Sequence, residues 1–269
     1  MILPVRAAII DSQTPLCEGS PMTEFATAPD RVRIAYETAG AGRPIILAHG
    51  FASDRKQNWM NVGWYETLIG AGFRVIALDF RGHGESDKPH DDGAYGDKML
   101  DDVLSVMAAA HVEHADLMGY SMGAILSVGL VMREPQRFRR VVLGGIGESY
   151  FNPKTHRRGI AQALRTPDPS TITDPTQKAF RAFAAQAGKD MAALAACMSA
   201  DRTMYTKEQL KTCATPVLVV AGDGDTQAGS PVPLAQAFGD GRAVTVPRRD
   251  HMTAVGDKVY KEAVLDFLS

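Results

Sequence analysis

The sequence lacks several features that mark specialised protein classes. It has three cysteines in 269 residues, Cys17, Cys197 and Cys213, and no Cys-x-x-Cys spacing. An odd number of widely spaced cysteines argues against both a disulfide framework and a zinc site, and reduced thiols are typical of the cytoplasm. We therefore predict a cytoplasmic protein without a metal site.

Neither an excess of charge nor a long apolar run is present. The 29 Lys and Arg residues nearly balance the 31 Asp and Glu residues, giving a formal net charge of −2. Such a balance provides no basic footprint for nucleic acid. No apolar run reaches the roughly twenty residues that a membrane-spanning helix needs. These absences leave a globular protein that acts on a small molecule, with its oligomeric state open.

The first 21 residues differ from the rest of the chain. Residues 1–10 are apolar with one arginine, but they lack the basic start of a secretory signal. A second candidate start follows at Met22. We interpret residues 1–21 as a weakly ordered N-terminal extension, with a signal or an artefact of the gene start as the alternatives.

Short apolar segments alternate with helical patterns from about residue 31 onward. One half-exposed strand is expected near residues 32–36, residues 58–70 are expected to be helical, and an amphipathic helix closes the chain. Repeated alternation of this kind predicts an α/β fold, with a mostly parallel sheet covered by helices on both faces. A fully apolar strand is predicted at 44–48, and further short strands are predicted at 73–78, 115–118, 140–143, 216–221 and 243–246.

Residues 149–214 interrupt the alternation. They contain four prolines and an alanine-rich stretch, and no buried strand is predicted among them. We predict a helical cap at 149–214 that lies over the strand ends, between a first core part at 22–148 and a second core part at 215–269. Phe180, Phe183, Met191, Leu194 and Met198 are candidates either for lining a pocket or for the interior of the cap.

The segment Gly119-Tyr120-Ser121-Met122-Gly123 has the form Gly-x-Ser-x-Gly and lies between a predicted strand and a predicted helix. A serine at the tip of such a turn presents its hydroxyl to substrate, and the glycines allow neighbouring backbone to approach closely. A plain Gly/Ser turn in a dehydrogenase-like fold is the alternative. Ser121 is therefore the candidate nucleophile.

A serine hydroxyl needs a base, and the base needs an orienting acid. In the strand–turn–helix arrangement the chain order is serine, acid, histidine. His251 is the only one of seven histidines beyond residue 156, and it follows the last predicted strand. Asp225 is favoured as the acid because its spacing after the preceding strand lets it reach the histidine. Asp223 is the alternative, Glu148 is more distant, and Asp250 is too close to His251 along the chain.

Two backbone N–H groups are expected to stabilise the tetrahedral intermediate. We assign the N–H of Met122, which follows the nucleophile and opens a helix, and the N–H of Phe51 in His49-Gly50-Phe51. His49 is expected to be a buried residue that shapes this loop. The glycine-rich loop 79–86, with His83 and Ser86, is expected to be structural, with Asp79 and Arg81 hydrogen-bonded locally.

Together these motifs resemble the α/β-hydrolase fold superfamily, over residues 30–269 and in the usual order. The resemblance implies an eight-stranded, mostly parallel sheet with a cap after the sixth strand. It also implies Ser121 as nucleophile, His251 as base and then acid, and Asp225 as its orienting acid. Serine at the turn differs from the haloalkane dehalogenase and epoxide hydrolase branches, which resemble this layout but use aspartate there.

The implied reaction is two-step acyl transfer from a small carboxylic ester, which needs neither a metal nor an organic cofactor. Alternatives of the same fold are a carbon–carbon bond hydrolase, a lactonase, a thioesterase and a cofactor-free perhydrolase. A non-catalytic ligand-binding receptor is the alternative from another class, and the complete set of Ser, His and Asp argues against it.

Overall fold

A computed structural model describes residues 22–152, 157–185 and 189–269 of the chain. Within these ranges eight strands form one sheet, in the order β1-β2-β4-β3-β5-β6-β7-β8. β1 and β4 each pair with β2 in antiparallel fashion, and all other neighbours are parallel. The predicted α/β class is thereby confirmed, while the predicted extension at residues 1–21 lies outside the described residues.

The strands follow the apolar runs of the sequence closely. β1 was not predicted, because only Ala26 of its four residues is buried and it therefore gives no apolar run. The bounds are β1 Glu24–Thr27, β2 Arg33–Ala39, β3 Arg43–Ala48, β4 Phe73–Leu78, β5 Ala115–Tyr120, β6 Phe138–Gly144, β7 Val217–Gly222 and β8 Gly241–Val246.

The predicted helical stretch over 58–70 is confirmed in part, because it is interrupted between residues 60 and 64. A five-residue π-helical turn at Lys56–Met60 precedes α1, and Gly63 lies between them with a φ of 75°, a left-handed conformation that a continuous helix does not contain. The α-helices are α1 Trp64–Gly70, α2 Lys98–Ala109, α3 Met122–Arg133, α4 Arg157–Arg165, α5 Pro175–Ala184, α6 Met191–Ser199, α7 Lys207–Leu210, α8 Val232–Ala235 and α9 Lys258–Leu268.

The sheet separates two apolar cores. The core on one face includes side chains of α2 and α3, such as Val103 and Leu126. The core on the other face includes α1 and α9, where the rings of Trp64 and Tyr260 pack with their centroids 5.7 Å apart. Because apolar side chains are buried on both faces, the central strands are apolar along most of their length.

The segment between β6 and β7 carries α4 to α7, and its described residues contain no strand. A third apolar cluster joins α4 and α6 to Ala52 in the loop after β3. This cluster attaches the segment to the edge of the sheet where the parallel strands end. No helix within the described ranges is both long enough and apolar enough to cross a lipid bilayer.

The close approach of α3 to β3 generates a prediction about stability. A Cβ at Gly123 would lie 2.0 Å from the carbonyl oxygen of Ala48, whereas a Cβ at Gly70 would meet nothing within 4 Å. We expect Gly123→Ala to lower the free energy of unfolding by about 2 kcal/mol or more, because backbone must move to make room. The control Gly70→Ala should change it by less than about 1 kcal/mol. Urea unfolding followed by circular dichroism measures both, and equal midpoints for the two variants would contradict this account.

Candidate active site

The residues assigned from the sequence all follow carboxyl ends of parallel strands. Phe51 follows β3, Ser121 follows β5, Asp225 follows β7 and His251 follows β8. Parallel strands end at the same edge of a sheet, which is where sites of α/β proteins form. The topology therefore brings these loops together, although up to 200 positions separate them along the chain.

Ser121 occupies a strained turn between β5 and α3. Its φ of 52° and ψ of −112° fall outside the regions that L residues ordinarily adopt. A Cβ at Gly119 would lie 2.4 Å from the carbonyl oxygen of Gly123, so the turn requires glycine there. The Ser121 N–H donates to the Gly144 carbonyl at 2.7 Å, and the Ile125 N–H donates to the Ser121 carbonyl at 3.0 Å. The flanking elements thus hold the turn in place.

The side chains of Ser121, His251 and Asp225 form a continuous chain of contacts. His251 Nε2 lies 3.0 Å from Ser121 Oγ, and His251 Nδ1 lies 2.8 Å from Asp225 Oδ2. Because carboxylate oxygens only accept, we assign the imidazole proton to Nδ1, which leaves Nε2 to accept from the serine hydroxyl. Asp225 is 3% exposed, and its Oδ1 accepts from the N–H groups of Gln227 at 3.1 Å and Ala228 at 2.9 Å.

Close packing joins the loops that carry Asp225 and His251. A Cβ at Gly222 would lie 2.0 Å from the carbonyl oxygen of Arg249, and the Gly224 N–H donates to that same oxygen at 3.0 Å. The glycines after β7 therefore allow the loop after β8 to cross directly over them. This crossing places the imidazole next to the carboxylate of Asp225.

The other acids considered from the sequence have different roles. Asp223 is exposed, and its carboxylate accepts from the Arg248 N–H at 2.6 Å. Asp250 accepts from the Thr253 N–H at 2.9 Å and from its hydroxyl, which lowers the pKa of Asp250. Glu148 is exposed. Among the described residues, the carboxylate that contacts the His251 ring is that of Asp225.

The N–H groups assigned at Phe51 and Met122 donate no hydrogen bond to any other described residue. The peptide between Gly50 and Phe51 is held by its carbonyl, which accepts from His49 Nδ1 at 2.7 Å and from the Ser53 N–H at 3.3 Å. Since that peptide is trans, the Phe51 N–H points away from these donors. The Met122 N–H opens α3, where the helix dipole favours an anion.

His49 and His83 are buried, as expected for structural residues. His49 Nε2 accepts from the Phe80 N–H at 3.0 Å, so the proton that bonds the Gly50 carbonyl lies on Nδ1. Burial lowers the pKa of His49 and holds the pKa of His83 well below its usual value. His49 thus stays neutral and keeps the loop after β3 in one orientation.

The expectation that Asp79 and Arg81 bond locally is confirmed only in part: the Glu85 N–H of the same loop donates to Asp79 Oδ2 at 2.9 Å, but the charged partners of both side chains are distant. Asp79 accepts from the side chain and the backbone N–H of Arg55, and the Arg81 guanidinium bonds Asp102 and Asp30. Both side chains are buried, and buried charge is tolerated only when it is paired. Although the loop carries both charges, each is paired with a residue of another segment, which ties the loop to the surrounding core.

A cavity of about 420 Å³ opens beside Ser121 and His251. Phe180 and Phe183 of α5 line it, whereas Leu194 and Met198 lie in the apolar cluster between α4, α6 and Ala52. Lys, Arg, Asp and Glu are absent from the described lining residues, which are Gly50, Phe51, Ser53, Gln57, Asn58, Val62, Tyr120, Ser121, Ala179, Phe180, Phe183, Gln227, His251, Met252 and Val255.

Two residues of the site escaped the sequence analysis. Asn58 is buried, and its Oδ1 accepts from the Gly50 N–H at 2.9 Å. The Tyr120 hydroxyl donates to the main-chain carbonyl of His251 at 2.7 Å. No short sequence pattern indicates either of these hydrogen bonds. The one feature that points to Tyr120 is its position inside the Gly-x-Ser-x-Gly segment.

Comparison with known proteins places this geometry in a family. A family model described as alpha/beta hydrolase fold matches residues 43–185, more than half of the chain. The chain is 35% identical over 148 residues to the AB hydrolase superfamily protein YisY of Bacillus subtilis (strain 168), covering 55% of this chain and 53% of that protein. It is 34% identical over 120 residues to the 2-hydroxymuconate semialdehyde hydrolase of Pseudomonas sp. (strain CF600), covering 44% and 42%. The chain thus spans about half the length of these curated relatives.

The fold is similar to that in the crystal structure of a hydrolase from Pseudomonas aeruginosa PA01. The TM-score is 0.71 at 26% sequence identity, over 92% of this chain and 98% of that chain. The matched family model, the sheet order and the strained serine turn all agree. The chain belongs to the α/β-hydrolase fold family.

Proposed function

We propose that the protein is a serine hydrolase that cleaves a neutral carboxylic ester through an acyl-enzyme. The observation that supports this most directly is the pair of contacts from one imidazole, 3.0 Å to Ser121 Oγ and 2.8 Å to Asp225 Oδ2. A serine hydroxyl becomes a useful nucleophile when a base lies within hydrogen-bond reach and an acid orients that base. Ser121 and His251 lie at the wall of a substrate-sized cavity, and Asp225 contacts the imidazole from outside the described lining.

In the first half-reaction, Ser121 Oγ attacks the ester carbonyl while its proton moves to His251 Nε2. The carbonyl oxygen becomes an oxyanion, which the N–H groups of Phe51 and Met122 receive. The bond between carbonyl carbon and alcohol oxygen then breaks, and the proton on Nε2 passes to the leaving alcohol. Asp225 stabilises the imidazolium that exists between these two transfers.

In the second half-reaction, water attacks the acyl-enzyme. His251 Nε2 accepts the proton of the water, and it returns that proton to Ser121 Oγ when the ester bond to the serine breaks. The acid product leaves and the starting state is restored. Every step uses side chains and backbone of this chain.

We also propose that residues 149–214 act as a cap over this site, between core parts at 22–148 and 215–269. α5 contributes Ala179, Phe180 and Phe183 to the wall of the cavity. Side chains of that kind provide an apolar surface for an acyl or alcohol group.

A carbon–carbon bond hydrolase is the second candidate, because a relative carries the name 2-hydroxymuconate semialdehyde hydrolase. A muconate semialdehyde bears a carboxylate, and an anion in a cavity without a charged partner is costly to desolvate. Lys189 is not among the described lining residues of this cavity, and its Nζ lies 3.4 Å from Oε1 of Gln57, which is one of them. The lining itself favours an uncharged ester.

Removal of the nucleophile tests the proposed reaction. We expect Ser121→Ala to lower kcat for p-nitrophenyl butyrate by at least about 10⁴-fold, since the acyl-enzyme can no longer form. Release of p-nitrophenol measures the rate, and circular dichroism checks that the fold is retained. Turnover that survives in a folded Ser121→Ala variant would overturn the proposal. A wild-type protein that binds esters without turning them over would favour the alternative of a non-catalytic ligand-binding receptor.

The two aspartates after β7 offer a matched pair. We expect Asp225→Asn to lower kcat by about 10³- to 10⁴-fold, because an amide favours the wrong tautomer of the imidazole. Asp223→Asn should stay within about threefold of wild type, because that exposed carboxylate accepts from Arg248 and does not contact the ring. Comparable losses in the two variants would show that the acid is misassigned.

A pair of esters of similar size tests the charge preference. We expect kcat/KM for p-nitrophenyl valerate to exceed that for mono-p-nitrophenyl glutarate by at least about tenfold, since only the second carries an anion. Lys189→Met should leave the valerate rate unchanged. Faster cleavage of the glutarate ester, lost in Lys189→Met, would contradict the neutral-ester assignment and favour the carboxylate-bearing substrates of the second candidate.

A further inference from the structure

Tyr120 connects the strand that carries the nucleophile to the loop that carries the base. It is the last residue of β5, directly before Ser121. Its hydroxyl donates to the main-chain carbonyl of His251 at 2.7 Å, across 131 positions of the chain. Through this bond, the residue directly before Ser121 also contacts the main chain of His251.

The Tyr120 ring has little freedom to move. A Cβ at Gly144 or at Gly145 would lie 2.8 Å from its ring atoms, so the ring lies directly against the glycine backbone at the C-terminal end of β6. A Cβ at Gly145 would also lie 3.2 Å from His251 Cε1, which means that the imidazole packs on the same surface. The centroids of the Tyr120 and His251 rings are 5.6 Å apart. The position of the phenol therefore determines where its hydroxyl can hold the histidine.

The other contacts of the loop after β8 lie on either side of His251, among them the bond from the Gly224 N–H to the Arg249 carbonyl at 3.0 Å. Near its start, the Arg248 N–H donates to Asp223 Oδ1 at 2.6 Å. Near its end, Trp64 Nε1 donates to the carbonyl of Val255 at 2.7 Å. At His251 itself, the bond from Tyr120 fixes the main chain, and the bond to Asp225 fixes the ring.

We propose that Tyr120 is a positioning residue, whose hydroxyl holds the His251 main chain so that Nε2 stays within reach of Ser121 Oγ. This inference rests on the proposed serine-hydrolase function. Proton transfer depends steeply on geometry, and a displacement of about 1 Å at a reacting group can cost about 10²-fold in rate. Loss of one hydrogen bond that sets the position of the base therefore lowers kcat more than it lowers stability.

Tyr260 supplies a matched control. Its ring lies 6.3 Å from that of Tyr120, and it is fully buried. Its hydroxyl has no hydrogen-bond partner among the described residues. Tyr260→Phe thus removes the same atom from a neighbouring buried ring without breaking a hydrogen bond among the described residues.

The experiment compares Tyr120→Phe, Tyr260→Phe and wild type. We expect Tyr120→Phe to lower kcat for p-nitrophenyl butyrate by about tenfold with KM unchanged, because the ring and the cavity remain. The melting temperature should stay within about 4 °C of wild type. Tyr260→Phe should retain the kcat, the KM and the melting temperature of wild type.

A spectroscopic readout separates positioning from general loosening. The imidazole proton between His251 Nδ1 and Asp225 is observable by ¹H NMR, and its exchange with water should accelerate in Tyr120→Phe alone. An unchanged kcat in Tyr120→Phe would overturn the inference, as would an equal loss in Tyr260→Phe. An unchanged exchange rate in Tyr120→Phe would do the same. A wild-type protein without esterase activity would instead count against the proposed function. The exchange measurement would still test whether the bond from Tyr120 holds His251 in position.

Discussion

The strained turn at Ser121 is the constraint on which the rest of the site depends. A φ of 52° places the serine where the backbone of an L residue is disfavoured, and such strain persists only when the surroundings enforce it. The enforcing contacts are close approaches of backbone to backbone, made possible by Gly119 and Gly123. The same turn points Oγ into the cavity and brings the N-terminus of α3 beside it. The proposed nucleophile and the helix dipole proposed to stabilise the oxyanion thus arise from one local geometry.

Residues that are not expected to react hold much of the remaining geometry. On one side, His49 and Asn58 hold the carbonyl and the N–H of Gly50, which fixes the direction of the Phe51 N–H. On the other side, Tyr120 and Asp225 hold the main chain and the ring of His251. These bonds lie in buried or half-buried surroundings, where an unmade hydrogen bond is costly. The arrangement is therefore preorganised before any substrate enters, which is the condition for strong electrostatic stabilisation.

The sequence allowed prediction of those parts of the fold that leave local patterns. Apolar runs located β3 to β8, and Gly-x-Ser-x-Gly located the turn, because burial and close approach restrict residue types. β1 was missed because a short edge strand with one buried residue has no such pattern. The break at Gly63 and the distant partners of Arg81 depend on tertiary contacts, which no local window contains. The same holds for Tyr120, whose proposed positioning role depends on a hydrogen bond to a residue 131 positions away.

The most direct test of the central claim is stoichiometric labelling by a fluorophosphonate, followed by peptide mapping. The reagent phosphonylates a serine hydroxyl only where a base activates it, and it requires no knowledge of the natural substrate. The account predicts one equivalent of label per chain, on the peptide that contains Ser121. It also predicts that the label is lost when His251 is replaced by alanine. Labelling of another residue, or rapid labelling of Ser121 without the imidazole, would contradict it.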